Sequence, residues 1–165
     1  MGSYSAYFFD LGGTLLALDD DEIARDGAGR VRLLPGVAER LASLQGQRVY
    51  VVSNQSGVAR GTLSIADARG FVEQVNAQAD RVIADYRICT HEPDAGCVCR
   101  KPAPGLVLFL ASAHELDLAS AVMVGDSLAD ERCARNAGIG TFIWADEFFG
   151  TLAPRTAHDL ILATA

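Results

Sequence analysis

The chain has 165 residues, half of them apolar and 21% charged, with a formal net charge of −7. That is enough chain for one domain with a substantial core. The negative balance works against broad nucleic-acid binding, which needs cationic surface to displace counterions, yet it leaves room for a small anion met by a local positive pocket.

The longest apolar stretch, residues 106–111, is far too short to cross a bilayer. Met1-Gly2-Ser3-Tyr4 shows no basic segment followed by an apolar run, so no secretory signal is expected. Short apolar runs alternate with helix-length amphipathic segments along the chain. This predicts an α/β fold with a parallel sheet in a single domain over residues 1–165.

Residues 4–9 read as a first strand ending at Asp10, and Gly12-Gly13-Thr14 breaks the run. Residues 15–33 read as an irregular excursion or small hairpin. Its acidic run, Asp19-Asp20-Asp21-Glu22, is expected to be solvated. Pro35-Gly36 opens a helix through about Leu44, with Pro in the first turn. Residues 48–52 form a second strand, followed by Ser53-Asn54-Gln55-Ser56-Gly57. The spacing predicts a long helix over 64–81, begun by a capping box in which Asp67 stands for the usual Glu or Gln.

Residues 85–89 form a third strand that feeds a loop containing Cys89, His91, Cys97 and Cys99. Three of the four cysteines and one of the three histidines fall within these eleven positions. Cys₃His is a standard structural set for Zn²⁺, which is a better reading of such clustering than a disulfide beside a bystander histidine. Thiols gathered for metal, with no export signal, are expected in a reducing cytoplasm. The same loop ends in Arg100-Lys101-Pro102. Lys101 is the only lysine; the thirteen other basic residues are arginine, which points to a task for a compact ammonium.

Pro104 starts a helix ending near Leu116. Residues 121–124 form a fourth strand closed by Gly125-Asp126-Ser127, and a helix over 128–137 stops at Gly138. Residues 141–144 form a fifth strand and 154–163 a closing helix. Cys133 is expected to be a small buried side chain, His114 and His158 surface or helix-end groups, and Trp144, Phe148 and Phe149 packing groups.

Asp10, Ser53, the Cys/His loop with Lys101, and Asp126 all follow predicted strand ends. In parallel sheets that edge is where ligands bind. Asp10 and Asp126 together make a hard oxygen environment suited to Mg²⁺. Ser53, the backbone amides around Asn54 and Gly57, and Lys101 can hold phosphate oxygens. These are the parts of phosphoryl transfer, with Asp10 as nucleophile forming an aspartyl-phosphate.

Phe8-Phe9-Asp10-Leu11-Gly12-Gly13-Thr14, Ser53, Lys101-Pro102 and Gly125-Asp126-Ser127-Leu128-Ala129-Asp130 resemble, in order, the four motifs of the haloacid dehalogenase (HAD) superfamily. Ser53-Asn54-Gln55-Ser56-Gly57-Val58-Ala59-Arg60-Gly61 and the Cys-x-His…Cys-x-Cys-Arg-Lys-Pro loop are similar to its capless subfamily III, which contains heptose bisphosphate and histidinol-phosphate phosphatases. The likeness spans about residues 5–145.

The resemblance implies a capless, Rossmann-like three-layer sandwich and a phosphatase acting on a small phosphorylated metabolite such as a sugar phosphate. It implies Mg²⁺ held by Asp10, Asp126 and the Gly12 carbonyl, with Asp130 in support. Ser53, Asn54 and Lys101 would hold the transferring phosphate, and Arg60 and Arg100 would face the substrate. Structural Zn²⁺ on Cys89, His91, Cys97 and Cys99 would shape the loop presenting Arg100 and Lys101. A monomer is the expected state.

One departure stands out. Phosphatases of this superfamily carry a second Asp two residues after the nucleophile, as acid and then base, and this chain has Gly12. A positioned group of this kind contributes roughly 10²–10⁴-fold. Impaired hydrolysis, a phosphate-binding protein without turnover, and transfer of the phosphoryl group to an acceptor other than water therefore remain open.

Overall fold

The computed structural model describes residues 4–151; the expected closing helix over 154–163 and His158 lie outside them. Strand β1 is Tyr7–Phe9, followed by a hairpin of β2 (Leu18–Asp19) and β3 (Glu22–Ile23). Next come helix α1 (Val37–Ala42), β4 (Val49–Asn54), α2 (Ile65–Gln78) and β5 (Ile83–Cys89). The chain continues through α3 (Gly105–His114), a 3₁₀ turn at Leu118–Ser120, β6 (Val122–Gly125), α4 (Leu128–Ala137), β7 (Thr141–Trp144) and α5 (Ala145–Phe149).

The main sheet is parallel, in the order β5-β4-β1-β6-β7. Alternate residues of the central strands face opposite ways, as the two-residue period of a strand requires. Tyr7, Phe9, Val49, Val51, Val122 and Val124 join a core with Val37 and Leu41 of α1, Phe71, Val72 and Val75 of α2, and Ala145 of α5. Phe8, Tyr50, Val52 and Met123 join the other core, with Leu106, Val107 and Leu110 of α3 and Cys133 and Ala134 of α4. Helices thus cover both faces, and the three-layer α/β architecture expected from the sequence is the one found.

β1 lies at the centre, with the next sheet strand on one side and β6 on the other. The chain reverses direction across the sheet at β1, and a crevice opens there beyond the strand ends. Asp10, Ser53 and Asp126 all belong to that edge.

Two element ends differ from expectation for physical reasons. Gly36 takes a left-handed conformation (φ 78°) and becomes the N-cap of α1, so Pro35 lies before the helix rather than in its first turn. α5 follows Trp144 directly, which the sequence does not predict; Phe148 packs edge-on and Phe149 tilted against Phe9, fixing this short turn by burial rather than by helix propensity. The Ser64–Asp67 cap is present, but the complete reciprocal capping box is at Ser127 and Asp130.

Candidate active site

Asp10 leaves the end of β1 with its backbone N–H bonded to the Val124 carbonyl at 3.0 Å, which ties it to β6. Thr14, fully buried four residues on, donates from its hydroxyl toward Asp10 Oδ2 (3.3 Å) and Asp126 Oδ1 (3.4 Å). It bridges the two carboxylates. The sequence motif contained Thr14, but no role was assigned to it, because a threonine after two glycines reads equally well as turn chemistry.

Two glycines make the close approach possible. A Cβ on Gly13, whose φ is +78°, would lie 2.2 Å from Asp126 Oδ2, and one on Gly125 would lie 2.4–2.7 Å from the Asp130 side chain. Neither position tolerates a side chain without displacing a carboxylate.

Lys101 is buried against this group. Its ammonium donates to Asp10 Oδ1 (2.5 Å) and the Val52 carbonyl (2.9 Å), and pairs with Asp130 Oδ1 at 2.7 Å. Two hydrogen bonds and an ion pair converge on one nitrogen, an arrangement that suits a compact ammonium and not a planar guanidinium. The Asn54 side chain clamps the Lys101 backbone, donating to its carbonyl (3.1 Å) and accepting from its N–H (3.0 Å). Asp130 also accepts from Ser127 N–H (3.1 Å) and Oγ–H (2.7 Å), so the cap that starts α4 also orients the partner of Lys101.

Burial raises the Asp10 pKa to about 7; the Lys101 ammonium opposes that rise and the Asp130 charge adds to it. For Lys101, burial disfavours the charge, but Asp10 and Asp130 outweigh it and hold the pKa above the ordinary lysine value. Asp126 is raised by burial and by the charge of Asp130.

Oxygens of Asp10, Asp126 and Asp130 lie within 4.8 Å of one another. With one ammonium among three carboxylates, the cluster keeps excess negative charge, and its hard oxygens fit Mg²⁺. A stability consequence follows from the raised Asp10 pKa. Without divalent cation, the folded chain holds a proton that the unfolded chain has released, so this group's contribution to stability falls as pH rises from about 4 to about 7. Mg²⁺ bound by these carboxylates would compete with that proton. Its effect on melting temperature should therefore be larger at about pH 8 than at about pH 5.5. Thermal melts at both pH values check this; equal shifts would contradict it.

The second cluster follows β5. Cys99 Sγ lies 3.3 Å from Cys89 Sγ and 3.5 Å from Cys97 Sγ, Cys89 and Cys97 are 3.7 Å apart, and His91 Nδ1 is 3.2 Å from Cys99 and 3.5 Å from Cys89. Tetrahedral Zn²⁺ with bonds of about 2.3 Å to sulfur spaces its ligands by about 3.7 Å. No disulfide joins the four cysteines in this structure, and the Sγ atoms of the loop are 3.3 Å or more apart. The donor set fits closed, structural Zn²⁺.

A pocket of about 590 Å³ opens over the carboxylates, lined among others by Asp10, Gly12, Ser53, Asn54, Arg60, Lys101, Asp126 and Asp130. Arg60 bonds Ser56 Oγ (2.8 Å) and lies 3.9 Å from Glu92 in the Cys/His loop. Arg100 is not among the lining residues; its guanidinium turns to the His91 carbonyl at 3.4 Å. The β2–β3 hairpin, within the excursion read over residues 15–33, folds over the pocket and brings Leu18, Asp19, Asp21, Glu22 and Ile23 into its wall. Asp20 and Asp21, both at positive φ (47° and 64°), make the hairpin turn. Two consecutive positive-φ residues match a tight hairpin turn, for which Asn-Gly is the commoner signal, and Asp-Asp masked it.

Comparison with known proteins follows the same lines. Residues 98–152 match the HAD-hydrolase-like family model. A D-glycero-beta-D-manno-heptose-1,7-bisphosphate 7-phosphatase of Rhodopseudomonas palustris is 36% identical over 131 residues, covering 72% of each chain. The solved D,D-heptose 1,7-bisphosphate phosphatase of B. bronchiseptica, complexed with magnesium and phosphate, superposes with a TM-score of 0.74 at 31% identity, over 83% of this chain and 78% of that one.

Proposed function

Since the chain belongs to the HAD-like hydrolases, we propose that it is a Mg²⁺-dependent phosphatase that releases phosphate from a small phosphorylated metabolite through an aspartyl-phosphate on Asp10. The observation that carries this reading is the meeting of Asp10, Asp126 and Asp130 with a buried Lys101 at the mouth of one pocket.

Asp10 Oδ1 is held by Lys101, and Thr14 restrains Oδ2. The pair of contacts fixes the carboxylate plane, so attack on phosphorus needs little reorganisation. Lys101 offsets the charge of Asp10 and lets a phosphate dianion approach it. Asp10, Asp126 and the Gly12 carbonyl would hold Mg²⁺, with Asp130 behind them. Bound there, the ion supplies charge stabilisation to the transferring phosphoryl group. Ser53, whose Oγ accepts from Gln55 Nε2 at 2.9 Å, and Asn54 border the phosphate position, and Arg60 stands at the rim with Arg100 on the adjoining loop. Zn²⁺ on Cys89, His91, Cys97 and Cys99 would set the shape of that loop.

Sugar phosphates are the leading substrate class, because the similar proteins carry that activity in their names. No helix among the described residues is long and apolar enough to cross a membrane. A monomer in a reducing cytoplasm, where the thiols stay free for metal, completes the reading.

The test is a panel of sugar phosphates with and without Mg²⁺. Phosphate release that disappears on chelation and returns with Mg²⁺ is expected. A second reading, a phosphate-binding protein without turnover, gains support from Gly12. Sugar phosphates that raise the melting temperature while no phosphate appears over hours, from them or from an acyl phosphate, would favour it.

A further inference from the structure

Within the phosphatase reading, on which this inference rests, we propose that the site cleaves phosphate from departing oxygens that are stable as anions. These are acyl, enol or otherwise acidic hydroxyl groups, in preference to a primary alcohol.

The argument starts from the wall above Asp10. A Cβ on Gly12 would lie 3.1 Å from Leu18 Cδ2 and 3.3 Å from Ile23 Cδ1. The hairpin therefore places two aliphatic side chains where a carboxyl two residues after the nucleophile would begin. Gly12 is not an empty position awaiting a replacement acid from solvent. Its space is bounded by hydrocarbon.

The carboxylates and the lysine lining the pocket are each accounted for. Asp10 is the nucleophile. Asp126 and Asp130 form the cation-holding set with it. Lys101 donates to Asp10 and the Val52 carbonyl and is ion-paired with Asp130. Asp19 pairs with Arg32 at 2.9 Å. Asp21 and Glu22 are exposed on the hairpin. A carboxyl that serves as an acid at neutral pH needs an apolar pocket to keep its proton. Among the described lining residues, none outside the cation set has one.

The chemistry divides accordingly. An Asp10 oxygen bonds to phosphorus while the bond from phosphorus to the departing oxygen breaks, and the electron pair leaves with that oxygen. A carboxylate, whose conjugate acid has a pKa of about 4, departs without a proton. An alkoxide, comparable in basicity to hydroxide from water of pKa about 15.7, does not depart readily without one. In the second half, water attacks the phosphorus of aspartyl-phosphate and the bond to Asp10 breaks. The carboxylate is regenerated, and the water proton passes to the released phosphate or to solvent. That half is common to every substrate. Leaving-group sensitivity should therefore appear in kcat/KM, and kcat should converge among the good substrates.

The experiment compares, with Mg²⁺ and the full chain, acetyl phosphate, nitrophenyl phosphate, phenyl phosphate and glucose 6-phosphate. Expected is a monotonic fall in kcat/KM with rising leaving-group pKa, acetyl phosphate exceeding the primary-alcohol ester by about 10³-fold or more. The double variant Gly12→Asp, Leu18→Ala supplies a carboxyl and the room for it, and should raise the alcohol ester most, flattening the series. Should that variant not fold, the wild-type series decides alone. A flat wild-type series, with glucose 6-phosphate cleaved as well as acetyl phosphate, would overturn the proposal and leave the phosphatase reading intact. No release from any of the four, acetyl phosphate included, would overturn both.

Discussion

Asp10→Asn is expected to remove phosphate release by at least about 10³-fold while leaving the fold intact. The carboxamide nitrogen cannot act as the nucleophile, and the amide oxygen is a far weaker one than a carboxylate. Stability should not suffer in proportion. Asp10 is buried, its pKa is pushed up to about 7, and Asp126 and Asp130 stand beside it. Substituting a neutral group of the same shape removes like-charge repulsion, and Lys101 keeps Asp130 and the Val52 carbonyl as partners. Assays of release and thermal melts on the same preparation separate the two effects. Melting at or above the wild-type temperature with no turnover is the expected pair. Turnover within tenfold of wild type would mean that another group carries the phosphoryl.

The second large effect concerns the Cys/His loop. The double variant Cys97→Ser, Cys99→Ser should lose one Zn²⁺ per chain and lower the melting temperature by about 10 °C or more, taking about 3–5 kcal/mol for the site. Activity should fall with it. The loop that leaves Cys99 reaches Lys101 two residues later, and the Asn54 clamp on the Lys101 backbone depends on that path. Metal analysis, melting and release measured together check the chain of cause. A Zn²⁺-free variant with wild-type melting and activity would show that the four ligands contribute nothing to the site.

Much of this architecture was legible from residue order. Strand-length apolar runs ending in Asp10, Ser53 and Gly125-Asp126 already placed the polar groups on one sheet edge, because parallel strands entering one sheet put their C-terminal ends together. The Cys/His set was legible from spacing alone. Contacts that depend on three-dimensional approach were not. That Asn54 holds the Lys101 backbone, 47 residues away, follows from the pairing of β4 with β5, which sequence does not display. The resemblance implied that Arg100 faces the substrate; in the structure its guanidinium lies 3.4 Å from the His91 carbonyl.

The hairpin is the clearest case. Leu18 and Ile23 face each other across β2 and β3, and both close on Gly12. In the sequence they flank an acidic run, and the charges dominate the reading. Leu18 remains 40% exposed, so the wall it forms is thin. Local propensity was a poor guide because two strands of two residues each are too short to stand alone, and backbone bonds from Ala17 to Arg32 and from Arg32 to Ala24 tie them in.

Rapid acid quench during turnover of acetyl phosphate with Mg²⁺, followed by mass analysis of the peptide bearing residue 10, tests the central claim most directly. A phosphoryl group on Asp10, absent without Mg²⁺ and absent in Asp10→Asn, is the expected result. Phosphate release with that peptide unmodified throughout, or a phosphoryl group found on a different residue, would contradict it.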